Sequence, residues 1–251
     1  MNRVQILLLR VQSVLSWLFC AFIGAPFTWL FIKLFSCKVY HKERLKGLKP
    51  PFILVSNHLT LIDSWFIAYA LCFPESYWKP WLLLWHLPEK TNYYRGLLVP
   101  FMWLTRSIPI IRGAAPKEQK LAKDKIINIL QNNEAIHIFP EGTRSRSGRI
   151  EDFTTGIGRI YQRVPNCTIL PVYIRGTEKV LPIKSIFPRL FKKIDVVIGR
   201  PRKLTSEHKG LRAGVDISRQ IFDILLEMEK EYFESKEYRA REILGVKEKS
   251  Q

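Results

Sequence analysis

No two of the four cysteines, Cys20, Cys37, Cys72 and Cys167, form a CxxC pair, and their spacings fit no zinc pattern. A metal-stapled small fold is therefore excluded, and the thiols read as reduced, mostly buried apolar fillers. No low-complexity tract is present and 47% of the residues are hydrophobic, which confines expected disorder to the chain ends. No zinc finger, RNP-like motif or basic helix with interleaved stacking aromatics occurs, so no nucleic acid partner is expected. No internal repeat and no linker divides residues 50–235. Acidic residues are scarce: 22 Asp and Glu stand against 40 Lys and Arg, a formal net charge of +18. That sign favours anionic partners, such as phospholipid surfaces or phosphorylated substrates, and carries no information about fold.

At 251 residues the chain is long enough to bury a sizeable core in one large α/β domain. Its N-terminus holds an uncharged run, Val11 to Ile32. At ~1.5 Å per residue such a helix would just cross a ~30 Å hydrocarbon core. Gly24 and Pro26 interrupt it, and proline removes a helical donor. Two readings follow. One is a single kinked span, and the other is a pair of helices, at 4–23 and 27–36, dipping into one leaflet. A hydrophobic hairpin packed on the domain is the plain alternative. Trp17 and Trp29 suit a headgroup interface. Lys33, Lys38, Lys42, Arg44, Lys46 and Lys49 follow the run, while only Arg3 and Arg10 precede it. This bias predicts a membrane-associated protein with the rest of the chain on the cytoplasmic side, held to a phospholipid membrane.

Downstream, short apolar runs alternate with helical patterns. FILVS (52–56), IPII (108–111), AIHIF (135–139), TILPVYI (168–174) and IDVVI (194–198) read as strands, and KPWLLLW (79–85) is ambiguous. Helices are expected from Leu59 to Cys72, over 92–106, from Pro116 to Gln131 and from Gly214 to Phe233. The alternation predicts an α/β fold with a largely parallel sheet flanked by helices, behind an N-terminal hydrophobic membrane-associating helical segment. Pro171, inside a strand, implies a bulge or an edge position.

Two segments carry chemistry. In NHLTLID, His58 and Asp63 lie five residues apart, which on a regular helix separates them by about 140°. They can meet only if His58 lies on the turn before the helix. There an imidazole can take a proton from an alcohol while the carboxylate fixes its tautomer. The plain alternative is a helix cap or a satisfied core histidine. In FPEGTRS (139–145), Pro140 and Gly142 force a turn from which Glu141, Thr143 and Arg144 project. Arg144 offers a fork for phosphate or carboxylate, and backbone N–H groups near Gly142 add donors. A surface turn with an internal Glu141–Arg144 ion pair is the alternative. Arg112 closes IPII, and Arg175 and Gly176 close TILPVYI.

Taken together, four ordered blocks, NHxxxxD (Asn57, His58, Asp63), SIPIIRG (Arg112), FPEGTRS and ILPVYIRG (Pro171), resemble the glycerophospholipid acyltransferase family over residues 50–205. The resemblance implies a general base at His58 with Asp63 as its partner. It implies substrate binding by Asn57, Arg112, Glu141, Gly142, Thr143, Arg144 and Pro171. It also implies a lysophospholipid acceptor, such as lysophosphatidate, acyl-CoA or acyl-carrier protein as co-substrate, and no metal or other cofactor. Ile111, where many members carry a polar residue, bears on the acceptor. The expected organisation is membrane-associating helices and a basic connector over 1–49, a catalytic domain over 50–235 and a charged tail over 236–251. Other lysolipid acceptors, or a non-catalytic basic membrane-binding protein, are the competing readings.

Overall fold

A computed structural model describes residues 3–243 apart from positions 34, 152, 184 and 186. Helices α1 (Arg3–Phe19) and α2 (Ala25–Lys33) are joined by a π turn over Cys20–Gly24. The backbone stays right-handed helical at both junctions, and the N–H of Ala25 donates to Cys20 O. The loosened turn lies one residue before the proline, which has no N–H to give the ladder. Strands β1 (Ser36–Tyr40) and β2 (Phe52–Ser56) follow, then α3 (Asp63–Cys72), α4 (Lys90–Tyr93), α5 (Leu98–Leu104) and α6 (Pro116–Gln131). Next come β3 (Ala135–Ile138), α7 (Gly156–Tyr161), β4 (Thr168–Arg175), α8 (Thr177–Val180), β5 (Lys193–Ile198) and α9 (Gly210–Ile243).

The sheet order is β1-β5-β4-β2-β3. Three of its pairings are parallel and one, β4 with β5, is antiparallel, so the expected α/β sheet is found as a mixed five-stranded one. Alternate residues of each strand feed two apolar layers. Ile53, Val55, Ile136 and Ile169 pack with α6, α7 and α9. Phe52, Leu54, Leu170 and Val196 pack with α3, and Trp17 and Cys20 of the N-terminal helices lie against that layer.

Several expectations shift. IPII is not a strand: its region pairs only with the 86–89 segment, in isolated bridges from His86 to Ser107 and from Glu89 to Ile110. KPWLLLW opens as a 3₁₀ turn at Pro80–Leu82 and ends at the Trp85–Ile136 bridge, with Trp85 in the core. The basic connector contributes a strand of its own, β1, paired with β5. Its lysine and partly exposed residues suit an edge strand rather than an apolar run, which hid it from periodicity. Helix α9 continues to Ile243, through the first part of the charged tail. Pro171 lies in the central strand β4, not at an edge. The bulge is real, though: β4 counts three residues from Val172 to Ile169 while its partner counts four, from Ile198 to Arg202. Gly199 N–H donates to Pro171 O at 2.8 Å, which ties the bulge down.

The N-terminal helices are tied to the domain by polar contacts. Gln12 donates to Trp103 O at 2.9 Å, and Ser13 donates to Glu134 at 3.0 Å. Arg106, almost fully buried, pairs with Glu134 at 2.8 Å and reaches both Leu83 O and Ser13 O. The outer surface of the same helices exposes Leu7, Leu8, Val11, Leu15, Phe22 and Phe27. The stretch Leu7–Trp29 is long and apolar enough to cross a membrane by length and composition.

Helices α7 and α9 approach so closely that only glycine fits between them. A Cβ on Gly158 would lie 1.9 Å from Gly214 O and 2.7 Å from Ser218 Oγ. Gly158→Ala should therefore force the two helices apart and lower stability by about 3 kcal/mol. Urea denaturation monitored by circular dichroism checks this, and a variant as stable as wild type would contradict the contact.

Candidate active site

Strand β2 ends at Ser56, and α3 starts only at Asp63. The intervening residues form a turn, the one arrangement in which a five-residue spacing brings His58 and Asp63 face to face. His58 Nδ1 lies 2.9 Å from Asp63 Oδ2. The same oxygen accepts from Leu59 N–H at 2.6 Å and from Thr60 N–H at 2.7 Å. The other oxygen, Oδ1, accepts from Thr60 Oγ1 at 2.7 Å and from Thr177 Oγ1 at 2.6 Å. Asp63 is fully buried, so these donors replace its lost hydration. Its place as the first residue of α3 adds the favourable end of the helix dipole.

A carboxylate only accepts, so Nδ1 carries the ring proton and Nε2 keeps a lone pair. The ring stacks on Phe139, with centroids 3.8 Å apart and planes 15° apart, which fixes its tilt. The His58 side chain is 14% exposed, enough to be reached from outside while its partner is not.

The FPEGTRS loop is stapled to this histidine through its main chain. His58 N–H donates to Glu141 Oε1, and Ser145 N–H donates to His58 O, each at 2.8 Å. Gly142 adopts φ 68°, in the left-handed region open to glycine, and its N–H closes the turn onto Phe139 O. Thr143 is exposed and Arg144 half-buried. Glu141 is thus spent on His58, not on Arg144, and no carboxylate among the described residues pairs with Arg144. Arg112 is about half exposed and pairs with Glu89 at 3.2 Å.

The other two predicted residues sit elsewhere. Asn57 is buried, and both ends of its amide are used by the Ile174 backbone, at 2.9 and 2.8 Å, which makes it a tie between the turn and β4. Pro171 is mid-strand opposite Val55, inside the sheet rather than at the edge where His58 lies.

Four contributors carried no signal in the sequence. Thr60 and Thr177 hold Asp63, and Phe139 carries the imidazole. The fourth is Tyr93 of α4. Burial raises its phenol, Arg144 and Arg112 pull it back down and Asp63 pushes it up. Behind Phe139 lie two further histidines, the buried His137 and the half-buried His86, with ring centroids 5.6 Å apart. Burial holds both well below the ordinary imidazole range, His86 at about 4, so they are neutral at pH 7. His137 shares a 2.8 Å hydrogen bond with Ser56. No group of three or more metal-ligating side chains occurs among the described residues.

A family model described as Acyltransferase matches residues 36–175, more than half of the chain. A taffazin of Dictyostelium discoideum is 28% identical over 168 residues, covering 62% of this chain and 56% of its own length. A chloroplastic 1-acyl-sn-glycerol-3-phosphate acyltransferase of Arabidopsis thaliana is 23% identical over 159 residues, covering 63% of this chain and 41% of its own. The chain thus spans about half the length of the curated relatives it matches. Among solved structures, the 1-acyl-sn-glycerophosphate acyltransferase PlsC of Thermotoga maritima superposes with a TM-score of 0.58 at 18% identity, over 92% of this chain and 98% of that one. At that identity the likeness is one of fold.

Glu141 makes the site sensitive to pH. Burial pushes its carboxyl up to about 8 from an ordinary 4.5, against the pull of the His58 N–H bond, and the carboxylates of Glu151, Asp63 and Glu229 add to the push. A group raised in the fold stabilises it most below its unfolded value and loses that contribution as pH rises through the folded one. The stability of wild type relative to Glu141→Gln should therefore fall as pH climbs from about 4.5 to about 8. The expected change is about 1–3 kcal/mol, read from urea midpoints at stepped pH. A difference that stays flat across this window would place the titration elsewhere.

Proposed function

This chain belongs to the acyltransferase family, and on that premise we propose that it transfers a fatty acyl group from acyl-CoA or acyl-carrier protein to the sn-2 hydroxyl of lysophosphatidate, giving phosphatidate. The observation that carries the reading is the His58–Asp63 pair, whose second ring nitrogen faces no described partner and is free for a substrate hydroxyl. The hydroxyl oxygen attacks the thioester carbonyl while its proton passes to His58 Nε2. Asp63 stabilises the imidazolium that results. The tetrahedral oxyanion then collapses, the C–S bond breaks and the thiolate takes the proton from His58. No covalent acyl-enzyme and no metal is needed for this balance.

The oxyanion needs backbone donors, and two turns compete for the role. The N–H groups of His58, Leu59 and Thr60 are all committed, to Glu141 and to Asp63. That leaves the 142–144 turn, where Thr143 N–H donates to nothing among the described residues. Arg144 beside it suits the acceptor phosphate. Arg112 can join once substrate competes with Glu89 for its exposed guanidinium.

The membrane supplies the lipid substrate. The polar ties of Gln12, Ser13 and Arg106 hold α1 on the domain, which favours dipping into one leaflet over a free-standing span. The basic residues that follow favour the cytoplasmic face. One observation supports a second reading, another lysolipid acceptor: Arg112 is already paired, and the relatives include tafazzins as well as acylglycerol-phosphate acyltransferases.

The reading is tested by acyl transfer from long-chain acyl-CoA or acyl-carrier protein to labelled lysophosphatidate in anionic liposomes. His58→Ala should slow wild-type transfer by on the order of 10²–10⁴-fold. Arg144→Ala should raise KM for lysophosphatidate roughly tenfold, with a smaller effect on kcat. Full activity in His58→Ala would remove the base from the mechanism, and a wild type active only on other lysolipids would shift the assignment to the second reading.

A further inference from the structure

Besides the N-terminal helices and Leu97–Trp103, which packs beside α1, a further stretch leaves large apolar side chains in solvent. It is the approach to β5, Phe187 to Lys193, with sequence FPRLFKK. Phe187 is 81% exposed, Phe191 77% and Leu190 42%, and Ile183 just before them is 46% exposed. Arg189, Lys192 and Lys193 alternate with these residues and are exposed as well. The stretch is anchored rather than loose: Arg189 N–H donates to Val180 O at 2.7 Å, and Ser185 Oγ donates to Phe187 O at 2.8 Å. Phe191 also holds φ 60°, a left-handed conformation unusual for a bulky side chain.

Topology says what lies next to it. Lys193, where the stretch enters β5, is the register partner of Ser36, where the chain leaves α2 and enters β1. The end of the apolar N-terminal helices and this stretch therefore approach the sheet side by side. The same edge carries the site. Asp195 is opposite Arg175 of β4, and two residues beyond Arg175 is Thr177, which holds Asp63.

We propose that Phe187–Lys193 is a second membrane-inserting element, which seats Phe187, Leu190 and Phe191 among the lipid chains and Arg189, Lys192 and Lys193 on anionic headgroups of the same bilayer that receives α1 and α2. This rests on the membrane reading of the N-terminal helices given above. Exposed phenylalanines interleaved with lysine and arginine match the interfacial pattern of apolar insertion plus electrostatic attraction. With two contacts side by side next to the site, the mouth around His58 is held against the lipid surface by more than the N-terminal helices alone.

Flotation of the full chain with phosphatidylcholine vesicles, with and without phosphatidylglycerol, tests this. Phe187→Ser with Phe191→Ser should lower binding to both vesicle types about tenfold. Arg189→Gln with Lys192→Gln should lower binding to the anionic vesicles several-fold, flatten its salt dependence and leave neutral vesicles unaffected. Leu8→Ser with Leu15→Ser reports on the N-terminal helices separately. Loss of binding in that variant together with wild-type binding by the phenylalanine variant overturns the second element and leaves the membrane reading standing. Absence of binding by wild type to either vesicle overturns both. Should the phenylalanine variant misfold, Phe187→Cys carrying an environment-sensitive dye decides: a blue shift on adding vesicles is expected, and an unchanged spectrum overturns the proposal.

Discussion

The carboxylate of Asp63 is the constraint on which the rest of the site depends. Five donors converge on its two oxygens: one ring nitrogen, two main-chain N–H groups and two threonine hydroxyls. An ionised carboxylate with no exposed surface would otherwise be costly to bury. Satisfying it requires the chain to turn between β2 and α3, because Leu59 and Thr60 can aim their N–H groups at a residue ahead of them only from a turn. It also requires Thr177, and so the end of β4, to sit directly beside that turn. The parallel pairing of β2 with β4 and the start of α3 are thereby locked to one charged group. The imidazole is oriented as a consequence.

The surrounding groups illustrate how burial sorts titratable residues into roles. His137 lies deeper than His58, and both it and His86 are kept neutral, so no positive charge forms behind the stacked Phe139 to compete with an imidazolium at His58. Glu141 stands where its carbonyl-side oxygen meets the His58 N–H, and burial favours its neutral form. That choice also leaves Arg144 without a carboxylate partner among the described residues. A cation left unspent at the mouth of a site can bind an anionic substrate, whereas one paired at rest, as Arg112 is, must first be released.

The sheet, its two helical layers and the meeting of His58 with Asp63 were legible in the sequence because each rests on a short-range rule. Apolar runs of strand length, helical periodicity and the 140° argument need only local information. What escaped depends on contacts across long separations. Thr177 lies 114 residues from Asp63, and no spacing rule joins them. Strand β1 carries a lysine and has no fully buried position, so its strand character comes from β5 and not from its own residues. The IPII run is apolar and β-branched, yet its proline and its neighbours leave it only isolated bridges. Pro171 was legible in half: a strand proline does require a ladder interruption, but the interruption is built into the facing chain, which lets the strand stay central.

The placement of the site at one edge of the sheet follows from strand direction. Parallel β2 and β4 both end there, so the turns that follow them can share a carboxylate. Because β5 runs antiparallel to β4, its beginning lies at that edge too, and because β1 is parallel to β5, so does the start of β1. The chain thus brings three strand ends, those of β2, β3 and β4, which carry the chemistry, beside two strand beginnings, which carry the approaches from α2 and from Phe187–Lys193. In a sheet with all five strands parallel, those approaches would fall at the opposite edge, a full strand length from His58. The single antiparallel pairing is therefore the topological feature that puts the apolar and basic surface next to the imidazole. Under the proposed lysolipid acylation, that proximity would let an acceptor reach the imidazole from a lipid layer.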